Sequence, residues 1–251
     1  MAWMRVLRWW FSGCVALFAL TQPLQAETIV AYTGEWVPYN FQEGKEVKGI
    51  STEILRATCQ DAGLNCEINY VPWVRAYKTV QTTRNALLYT VARKPERESD
   101  FIWVGPILPR STYVYVRSSL EPHPTNVAEL SRLRVGVVRG EASIGDLERV
   151  GVSHEAIVVL SLNVDVLRMM VRGMIDAMVD TEIGMNWNLR NAGLAPSAVS
   201  RVMTLSEEGG YYFGLNTGTD PELVRRLQAA VDRLQRNGAI GAIVRKYQSK
   251  S

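Results

Sequence analysis

Histidine and cysteine are scarce in this sequence. Its 251 residues include two histidines and three cysteines. The spacings His…His and Cys-x-x-Cys, from which zinc centres are commonly built, do not occur. We therefore expect neither a metal centre nor a cofactor, which excludes most classes of metalloenzyme.

An excess of charge of either sign is also missing. The chain has 28 Lys and Arg against 25 Asp and Glu, and Arg5 and Arg8 are the charged side chains of residues 1–26, so 26 basic and 25 acidic residues follow that segment. This balance lacks the basic footprint of a nucleic-acid-binding protein. With 47% hydrophobic and 21% charged residues, the composition is that of an ordinary globular protein.

The sequence has no apolar run of the roughly 18 residues that a membrane span requires. A short run, Cys14 to Leu20, follows Arg5 and Arg8 and precedes Leu24-Gln25-Ala26, which is the order of an export signal. We expect cleavage after Ala26 and a soluble mature protein in the periplasm. A lipoprotein anchored through Cys14 is the alternative, although its apolar run would precede the cysteine.

Two cysteines follow the predicted cleavage site, Cys59 and Cys66, and an oxidising compartment favours a disulfide between them. Helical periodicity over Thr52–Asp61, with Gly63 suited to a left-handed stop, places Cys59 in the last turn of a helix. Cys66 then begins the next strand, Cys66–Val71. A redox-active pair is the alternative, but this spacing lacks the tight turn of a reactive dithiol.

Short apolar runs alternate with helical periods along the rest of the chain, which indicates an α/β architecture. The predicted strands are Thr28–Tyr32, Cys66–Val71, Ala86–Val91, Tyr113–Val116, Arg134–Val138, Ala156–Leu160, Ala177–Asp180 and Tyr211–Leu215. The predicted helices lie near 52–61, 73–82, 126–131, 143–149, 163–172, 182–192 and 221–236. The last helix has the clearest signals, with Asp220 as cap, Pro221 in the first position and Gly238 after its end.

Two segments rich in proline or glycine predict crossings between two lobes rather than simple loops. One is Gly105-Pro-Ile-Leu-Pro-Arg-Ser-Thr, and the other is Ser206-Glu-Glu-Gly-Gly. The first lobe would comprise residues 27–111 and 208–251, and the second lobe residues 112–207. Two such lobes joined by two strands form a hinged cleft.

An ordered set of short motifs resembles the periplasmic solute-binding proteins of polar amino-acid ABC transporters, family 3. The motifs are Glu35-Trp-Val-Pro-Tyr-Asn-Phe, Val47-Lys-Gly-Ile-Ser-Thr-Glu-Ile-Leu, Pro72-Trp-Val-Arg-Ala, Lys94-Pro-Glu-Arg, Val135-Gly-Val-Val-Arg-Gly, Gly173-Met-Ile-Asp-Ala, Asn216-Thr-Gly-Thr-Asp-Pro-Glu-Leu-Val, Asn237-Gly and Lys246-Tyr. The resemblance implies a two-lobed α/β fold of type II. It also implies a monomer that closes over a small polar solute and delivers it to the permease of an ABC transporter.

The loop after the first strand contains Glu35, Trp36 and Tyr39, at a strand end where open α/β sheets bind ligands. The resemblance places an aromatic residue that stacks on the ligand at Trp36. Packing in the lobe core is the alternative for both aromatics. Trp73 lines the cleft or seals the helix beneath it, and Arg75 is a further candidate.

Arg97 is the main candidate for binding an anion, because a guanidinium fits a carboxylate through two parallel hydrogen bonds. The resemblance assigns to Arg97, in Lys94-Pro-Glu-Arg97, the clamp on the carboxylate of a bound amino acid. It places hydroxyls at Thr90 and at position 92, where this chain has Ala92, and Arg93 would replace the missing donor. An ion pair with Glu96, Glu98 or Asp100 is the alternative for Arg97.

In the second lobe, Arg139-Gly140-Glu141-Ala-Ser143 forms a strand-to-helix turn whose free N–H groups favour an anion. Glu141 and Ala142 stand where the family has hydroxyls. The resemblance places an amine-binding acid near Asp180, with Glu182 as the other register. The acids Glu35, Glu141 and Asp180 favour a cationic or amine-bearing solute.

Two other functions are compatible with the sequence. A periplasmic sensor that docks on a membrane receptor would use the same fold. The fold also resembles cyclohexadienyl dehydratase-like enzymes, in which a buried acid such as Glu141 would protonate a leaving hydroxyl. The chain offers no nucleophile and base pair, so we expect a binding protein rather than an enzyme.

Overall fold

The computed structural model of the protein describes residues 27–207 and 209–249. The predicted signal peptide and its cleavage site lie outside these residues. The strands are β1 Thr28–Thr33, β2 Phe41–Glu43, β3 Glu46–Lys48, β4 Asn65–Tyr70, β5 Ala86–Ala92, β6 Ile102–Pro109, β7 Thr112–Arg117, β8 Val135–Val138, β9 Ile157–Leu160, β10 Ala177–Asp180, β11 Val199–Ser206 and β12 Gly210–Leu215. The α-helices are α1 Ile50–Asp61, α2 Trp73–Thr82, α3 Val127–Leu130, α4 Ala142–Arg149, α5 Asn163–Val171, α6 Glu182–Asn191, α7 Pro221–Arg236 and α8 Ala239–Gln248.

The first sheet has the strand order β4-β1-β5-β12-β6. Its strands β4, β1 and β5 are parallel, and β12 is antiparallel to both β5 and β6. All seven residues of β5 are buried. This burial explains why β5 is a continuous apolar run rather than an alternating one, since helices cover both faces of a central strand.

The second sheet has the order β11-β7-β10-β8-β9. Here β10, β8 and β9 are parallel, and β7 is antiparallel to both β10 and β11. In each sheet four strands therefore run in one direction and one strand, β12 or β7, runs against them. The two-lobed α/β architecture expected from the sequence is confirmed.

The chain passes between the sheets twice. It leaves the first sheet after β6 and enters the second at β7, and it returns between β11 and β12. These passages, which we call crossovers, lie at residues 110–111 and between Ser206 and Gly210. The lobe limits expected from the sequence, 27–111 with 208–251 and 112–207, stay a prediction.

All eight predicted strands and all seven predicted helices are present, and α7 follows its signals closely. Asp220 accepts a hydrogen bond from the Glu222 N–H at 2.8 Å, and Gly238 adopts a left-handed conformation after the helix. The apolar stripe of α7 is buried in the first lobe, with Leu223, Leu227, Val231 and Leu234 among its core residues.

Strand β6 was not predicted, because its Gly105-Pro106 pair is typical of a turn. Helix α7 supplies the hydrogen bonds that this pair disturbs. The Gln228 side chain accepts from the Gly105 N–H at 2.9 Å and donates to the Gly105 carbonyl, while Gln235 donates to the Pro106 carbonyl. A long-range contact therefore allows a strand where the local sequence favours a turn.

The other elements that were not predicted, β2, β3, β11 and α8, have weak apolar patterns in their sequences. The hairpin of β2 and β3 has three residues in each strand. Strand β11 is an edge strand whose pairing with β7 has two register irregularities. In α8 the buried residues are Ile240 and Tyr247, so its apolar stripe is faint.

The disulfide predicted between Cys59 and Cys66 is present, with a distance of 6.1 Å between the two Cα atoms. Cys59 lies in α1 and Cys66 in β4, and Gly63 between them is left-handed with a φ of 66°. The bridge thus joins the end of a helix to an edge strand, as expected. Among the helices of the described residues, none has both the length and the apolar character that a bilayer crossing needs.

Replacing both cysteines by serine should lower the free energy of unfolding by about 2–3 kcal/mol, because the open chain loses the loop constraint on its unfolded state. Denaturant unfolding of the double variant and of the oxidised wild type measures the difference. Reducing agent should destabilise the wild type and leave the variant unaffected. Equal stability of variant and wild type would contradict this account.

Candidate functional site

A cavity of about 570 Å³ lies between the two lobes. Six parallel strands end at it, three from each sheet, and the segments that follow them form most of its wall. Arg110 of the first crossover and Tyr211 of β12, which follows the second crossover, also contribute. The lining residues are Gly34, Glu35, Trp36, Asn40, Tyr70–Val74, Thr90, Ala92, Arg97, Arg110, Thr112, Val138, Arg139, Glu141–Ser143, Ser161, Leu162, Val179–Thr181 and Tyr211. The cavity is thus at the strand ends where open α/β sheets bind ligands.

Aromatic side chains form the first-lobe side of the cavity. Trp36 packs against Tyr39 with 4.2 Å between ring centroids and meets the edge of Tyr211 at 5.0 Å. Tyr39 is 4% exposed and lies behind Trp36, where its hydroxyl donates to Thr181 Oγ1 at 2.9 Å. Trp36 therefore faces the cavity, and Tyr39 supports it and connects the two lobes.

Gly140 receives two hydrogen bonds from the opposite lobe. Trp73 Nε1 donates to its carbonyl at 3.1 Å, and Arg97 Nη2 donates to the same oxygen at 2.9 Å. The residue has a φ of 79°, and a Cβ built on it would lie 3.1 Å from Trp73 Cδ1. Glycine is needed here for its conformation and for the close approach of the tryptophan.

Thr90 occupies a β-bulge at the cavity wall. In the pairing of β5 with β12, Tyr212 lies opposite Val91 and Phe213 opposite Tyr89, so Thr90 is the extra residue. Its φ is 67°, a strained conformation for a β-branched residue. The hydroxyl donates to Asn40 Oδ1 at 2.8 Å. Bulges of this kind redirect side chains beside binding sites.

A buried ion cluster closes one end of the cavity, beside the crossover at residues 110–111, which we call the crossover end. The carboxylate of Asp146 in α4 accepts from Lys94 Nζ at 2.6 Å, from Arg110 Nη2, and from Arg149 Nη1 at 2.8 Å. Burial alone would raise the pKa of Asp146, but the bonds and charges of Lys94 and Arg110 outweigh it and hold the pKa below its usual range. The cluster joins the first lobe, the crossover and the second lobe.

Two acids of the second lobe have raised pKa values. Burial, and then the negative charge of Asp180, raise the pKa of Glu141 to about 8, against opposing effects of Ser143, Arg110 and Arg97. Burial also raises the pKa of Asp180 to about 7, although four donors stabilise its carboxylate. Two neighbouring carboxyls inside a cleft repel each other when both are ionised, so the site retains a proton near neutral pH.

Asp180 already holds the second-lobe wall together. Its Oδ2 accepts from Asn163 at 3.0 Å and from Asn188 at 3.2 Å, and its Oδ1 accepts from the Thr181 N–H at 2.8 Å. Trp36 of the first lobe also donates to this carboxylate. These bonds use most of the acceptor positions of one carboxylate. Glu141, by contrast, accepts a long bond of 3.4 Å from Ser143.

Most of the site residues expected from the sequence line the cavity. These are Glu35, Trp36, Trp73, Thr90, Arg97, Arg139, Glu141, Ser143 and Asp180. Glu35 lies at the rim, where it is exposed and accepts from the Tyr70 hydroxyl at 3.1 Å. Tyr39 and Gly140 contact lining residues. Asp180 and Glu182 were the two candidates for the amine-binding acid of the second lobe. Asp180 lies in the cavity wall, whereas Glu182 is exposed and lies outside it.

The structure corrects the expectations for Arg93 and Arg75. Side chains alternate along β5, so Ala92 faces the cavity and Arg93 faces away, where its Nε donates to Glu98 Oε2 at 2.9 Å. Arg75 lies on the exposed side of α2, whose buried residues are Ala76 and Val80. Arg93 therefore does not replace the donor missing at Ala92, and Arg75 is not among the residues that line the cavity.

The environment of Arg97 differs from the alternative considered for it, a surface ion pair with a nearby acid. Besides its bond to Gly140, its guanidinium lies 5.5 Å from the ring centroid of Tyr77. All three nearby acids have other partners. Glu96 lies 3.5 Å from Arg149, Glu98 pairs with Arg93, and Asp100 accepts from the Tyr77 hydroxyl at 2.6 Å.

Several residues of the site were not predicted, among them Asn40, Arg110, Thr112, Asp146 and Tyr211. Arg110 and Thr112 lie in a segment whose prolines indicated only a crossover. An arginine in an otherwise apolar crossing was the available signal for a functional role. Asp146 gave no signal, because its partners Lys94 and Arg110 are distant in sequence.

Comparison with known proteins supports the same architecture. A model of the bacterial extracellular solute-binding proteins, family 3, matches residues 28–250. A search of curated proteins finds no match.

Solved structures share the fold at low sequence identity. A histidine kinase sensor domain with similarity to periplasmic binding proteins has a TM-score of 0.79 at 20% identity, covering 88% of this chain and 96% of that one. An ancestral arginine-binding protein bound to arginine has a TM-score of 0.77 at 15% identity, covering 88% and 97%. The arginine-, lysine-, histidine-binding protein ArtJ from Geobacillus stearothermophilus has a TM-score of 0.76 at 15% identity, covering 88% and 95%.

The Glu141→Gln variant should be more stable than the wild type at pH 8.5, by at least about 2 °C in melting temperature, and no more stable at pH 5. The folded protein keeps the Glu141 proton that the unfolded chain releases, because folding raises the pKa from 4.5 to about 8. Wild-type stability is therefore lost as pH rises between these values.

Thermal unfolding at the two pH values measures the effect. Glu182→Gln removes an exposed carboxyl beside the cleft and is the control, with the same small difference expected at both pH values. A Glu141→Gln difference that does not change with pH would contradict the raised pKa.

Proposed function

The chain belongs to the bacterial extracellular solute-binding proteins, family 3, and from this premise we propose that it binds a small polar solute in the cleft between its lobes. The solute is an amino acid or a related amine or carboxylate. The protein would carry it in the periplasm, after export through a cleaved signal peptide, and deliver it as a monomer to the permease of an ABC transporter.

One observation carries this proposal, the placement of basic and acidic side chains on opposite sides of one cavity. Arg97 and Arg110 approach it from the first lobe and the crossover, while Glu141 and Asp180 approach it from the second lobe. The volume of about 570 Å³ is within the range of small-molecule sites. A zwitterionic or polyfunctional solute would bind a side chain of opposite charge on each side of the cavity. Its binding would stabilise the arrangement in which the two lobes are in contact.

The individual roles follow from the partners that each group already has. Arg97 spends Nη2 on Gly140 and would bind a carboxylate with its other donors. Trp36 would pack on the solute. Glu141, which accepts only a long bond from Ser143 among the contacts described, is better placed than Asp180 to receive an amine.

Sensing is a second candidate function. The fold similarity to a histidine kinase sensor domain supports this sensing function. The same fold is compatible with transport. Genes for a permease and an ATPase beside this one would favour transport, and an adjacent receptor kinase would favour sensing.

Enzymatic turnover is a third candidate, supported by Glu141 alone. A carboxyl with a pKa of about 8 is protonated at neutral pH and can donate to a leaving hydroxyl. Turnover of a prephenate-like substrate that is lost in Glu141→Gln would favour the enzyme over the binding protein.

The proposal is tested by a thermal-shift screen with amino acids, polyamines, organic acids and small peptides. A solute that binds only the folded state raises the melting temperature by mass action, by an amount that grows with its concentration. Calorimetry then gives the affinity of each positive compound. If saturating concentrations of all four classes leave the melting temperature unchanged, the proposal fails.

For a carboxylate-bearing solute from that screen, Arg97→Lys should weaken binding by roughly 2–3 kcal/mol, because lysine keeps the charge and loses the planar pair of donors. Arg97→Ala should abolish binding within the range of calorimetry, with little change in the unfolding curve.

The matched control is Arg93→Ala, an arginine four positions away that points out of the cleft. It should bind with wild-type affinity. Wild-type affinity in Arg97→Ala would show that Arg97 is not a ligand residue, and joint loss of binding and stability would show a structural role. For a cation without an acidic group, Glu141→Ala or Asp180→Ala should cost more affinity than Arg97→Ala.

A further inference from the structure

We propose that Arg110 and Thr112 form an anion subsite at the crossover end of the cleft, and that the solute therefore carries two acidic groups. This inference rests on the proposed function, in which Arg97 takes the first carboxylate. The new element is the second acidic group, which makes the solute an acidic amino acid or a small dicarboxylate.

The first support is an imbalance of buried charge. Arg110 is 2% exposed and Lys94 is 9% exposed, while their shared partner Asp146 is 2% exposed. Two buried cations thus face one buried anion. Arg149 adds a third cation to the same carboxylate, although it is exposed and also lies 3.5 Å from Glu96. An uncompensated charge costs several kcal/mol when buried, so a further anion at this place would be stabilising.

The second support is a set of donors without partners. Within the described residues, Arg110 Nε, Arg110 Nη1 and Thr112 Oγ1 are buried and make no hydrogen bond. Both residues line the cavity. Buried polar groups in native proteins are nearly always satisfied, so three unsatisfied atoms from two neighbouring lining residues indicate a partner that binds there.

The chemistry of these donors selects the partner. A guanidinium donates and never accepts, and it keeps its charge. The partner must therefore supply acceptor oxygens, and the excess positive charge around Asp146 requires that these oxygens be anionic. The Thr112 hydroxyl can donate to the same group. A carboxylate fits all three conditions, whereas an amide accepts hydrogen bonds but lacks the negative charge, and an ammonium group fits none.

Arg97 and Arg110 are held by different partners. Arg97 follows β5 and reaches across to Gly140, while Arg110 lies in the crossover after β6 and bonds Asp146 in α4. One carboxylate at each arginine gives a solute with two separated acidic groups. Glu141 lies close enough to both arginines for their charges to lower its pKa, and a solute amine would bind at this acid.

The experiment compares acidic probes with their uncharged amide counterparts. The probes are L-glutamate, L-aspartate and succinate, against L-glutamine and L-asparagine, with L-arginine as a cationic probe. Thermal shift and calorimetry should show that the wild type binds at least one diacid ten times or more tightly than the matching amide. Arg110→Lys should reduce that preference at least tenfold.

A second variant and a control guard against a structural explanation. Thr112→Val removes one hydroxyl at nearly constant volume, leaves the Asp146 bonds intact and should weaken diacid binding several-fold. Arg149→Gln removes another cation from Asp146 but does not line the cavity. It should leave the preference for the diacid unchanged. If Arg110 acted only through Asp146, removing Arg149 would change that preference as well.

The outcomes separate this inference from the function on which it rests. If the wild type binds glutamine or arginine and no diacid, the anion subsite is wrong and solute binding stands. An unchanged preference in both Arg110→Lys and Thr112→Val also overturns the subsite. If no compound of any class binds, the proposed function itself fails.

Discussion

The buried carboxylate of Asp146 connects three parts of the chain around the cleft. Lys94 brings the end of β5, Arg110 brings the crossover after β6, and α4 provides Asp146 itself. A carboxylate with these partners is stable inside the protein only while both cations remain in place. The relative position of the two lobes therefore depends in part on this cluster, together with the bond from Tyr39 to Thr181 and the two bonds to the Gly140 carbonyl.

The same interaction gives the cleft its polarity. Positive charge collects at the crossover end around Asp146, and the acids Glu141 and Asp180 occupy the second-lobe wall. Burial raises the pKa of both carboxyls, and the negative charge of Asp180 raises the pKa of Glu141 further. A cavity with one cationic end and one proton-retaining acidic wall is suited to a polar solute with both acidic and basic groups, and it is poorly suited to an apolar one.

Local sequence patterns predicted the parts of the fold that local forces determine. Helix α7 has its own cap and stripe, and the pairing of Cys59 with Cys66 follows from a helix end and a strand start seven residues apart. Strand β6 could not be predicted, because its hydrogen bonds are completed by Gln228, more than one hundred residues away.

The candidate site shows the same limit. Motif spacing identified Arg97, and the structure places it in the cavity wall, but spacing cannot show which way a neighbouring side chain points. Arg93 lies outside for that reason, although it is only one residue beyond Ala92 in the wall. Arg110 was missed because its importance comes from Asp146 and from unpaired donors, which exist only in the folded chain.

Hydrogen exchange of backbone amides, followed by mass spectrometry, tests most directly whether a solute binds between the lobes. The protein is measured with and without a compound that raises its melting temperature. The account predicts slower exchange on both walls of the cavity at once, in residues 70–75 of the first lobe and 138–145 of the second. Protection confined to one lobe, or located away from both walls, would contradict it.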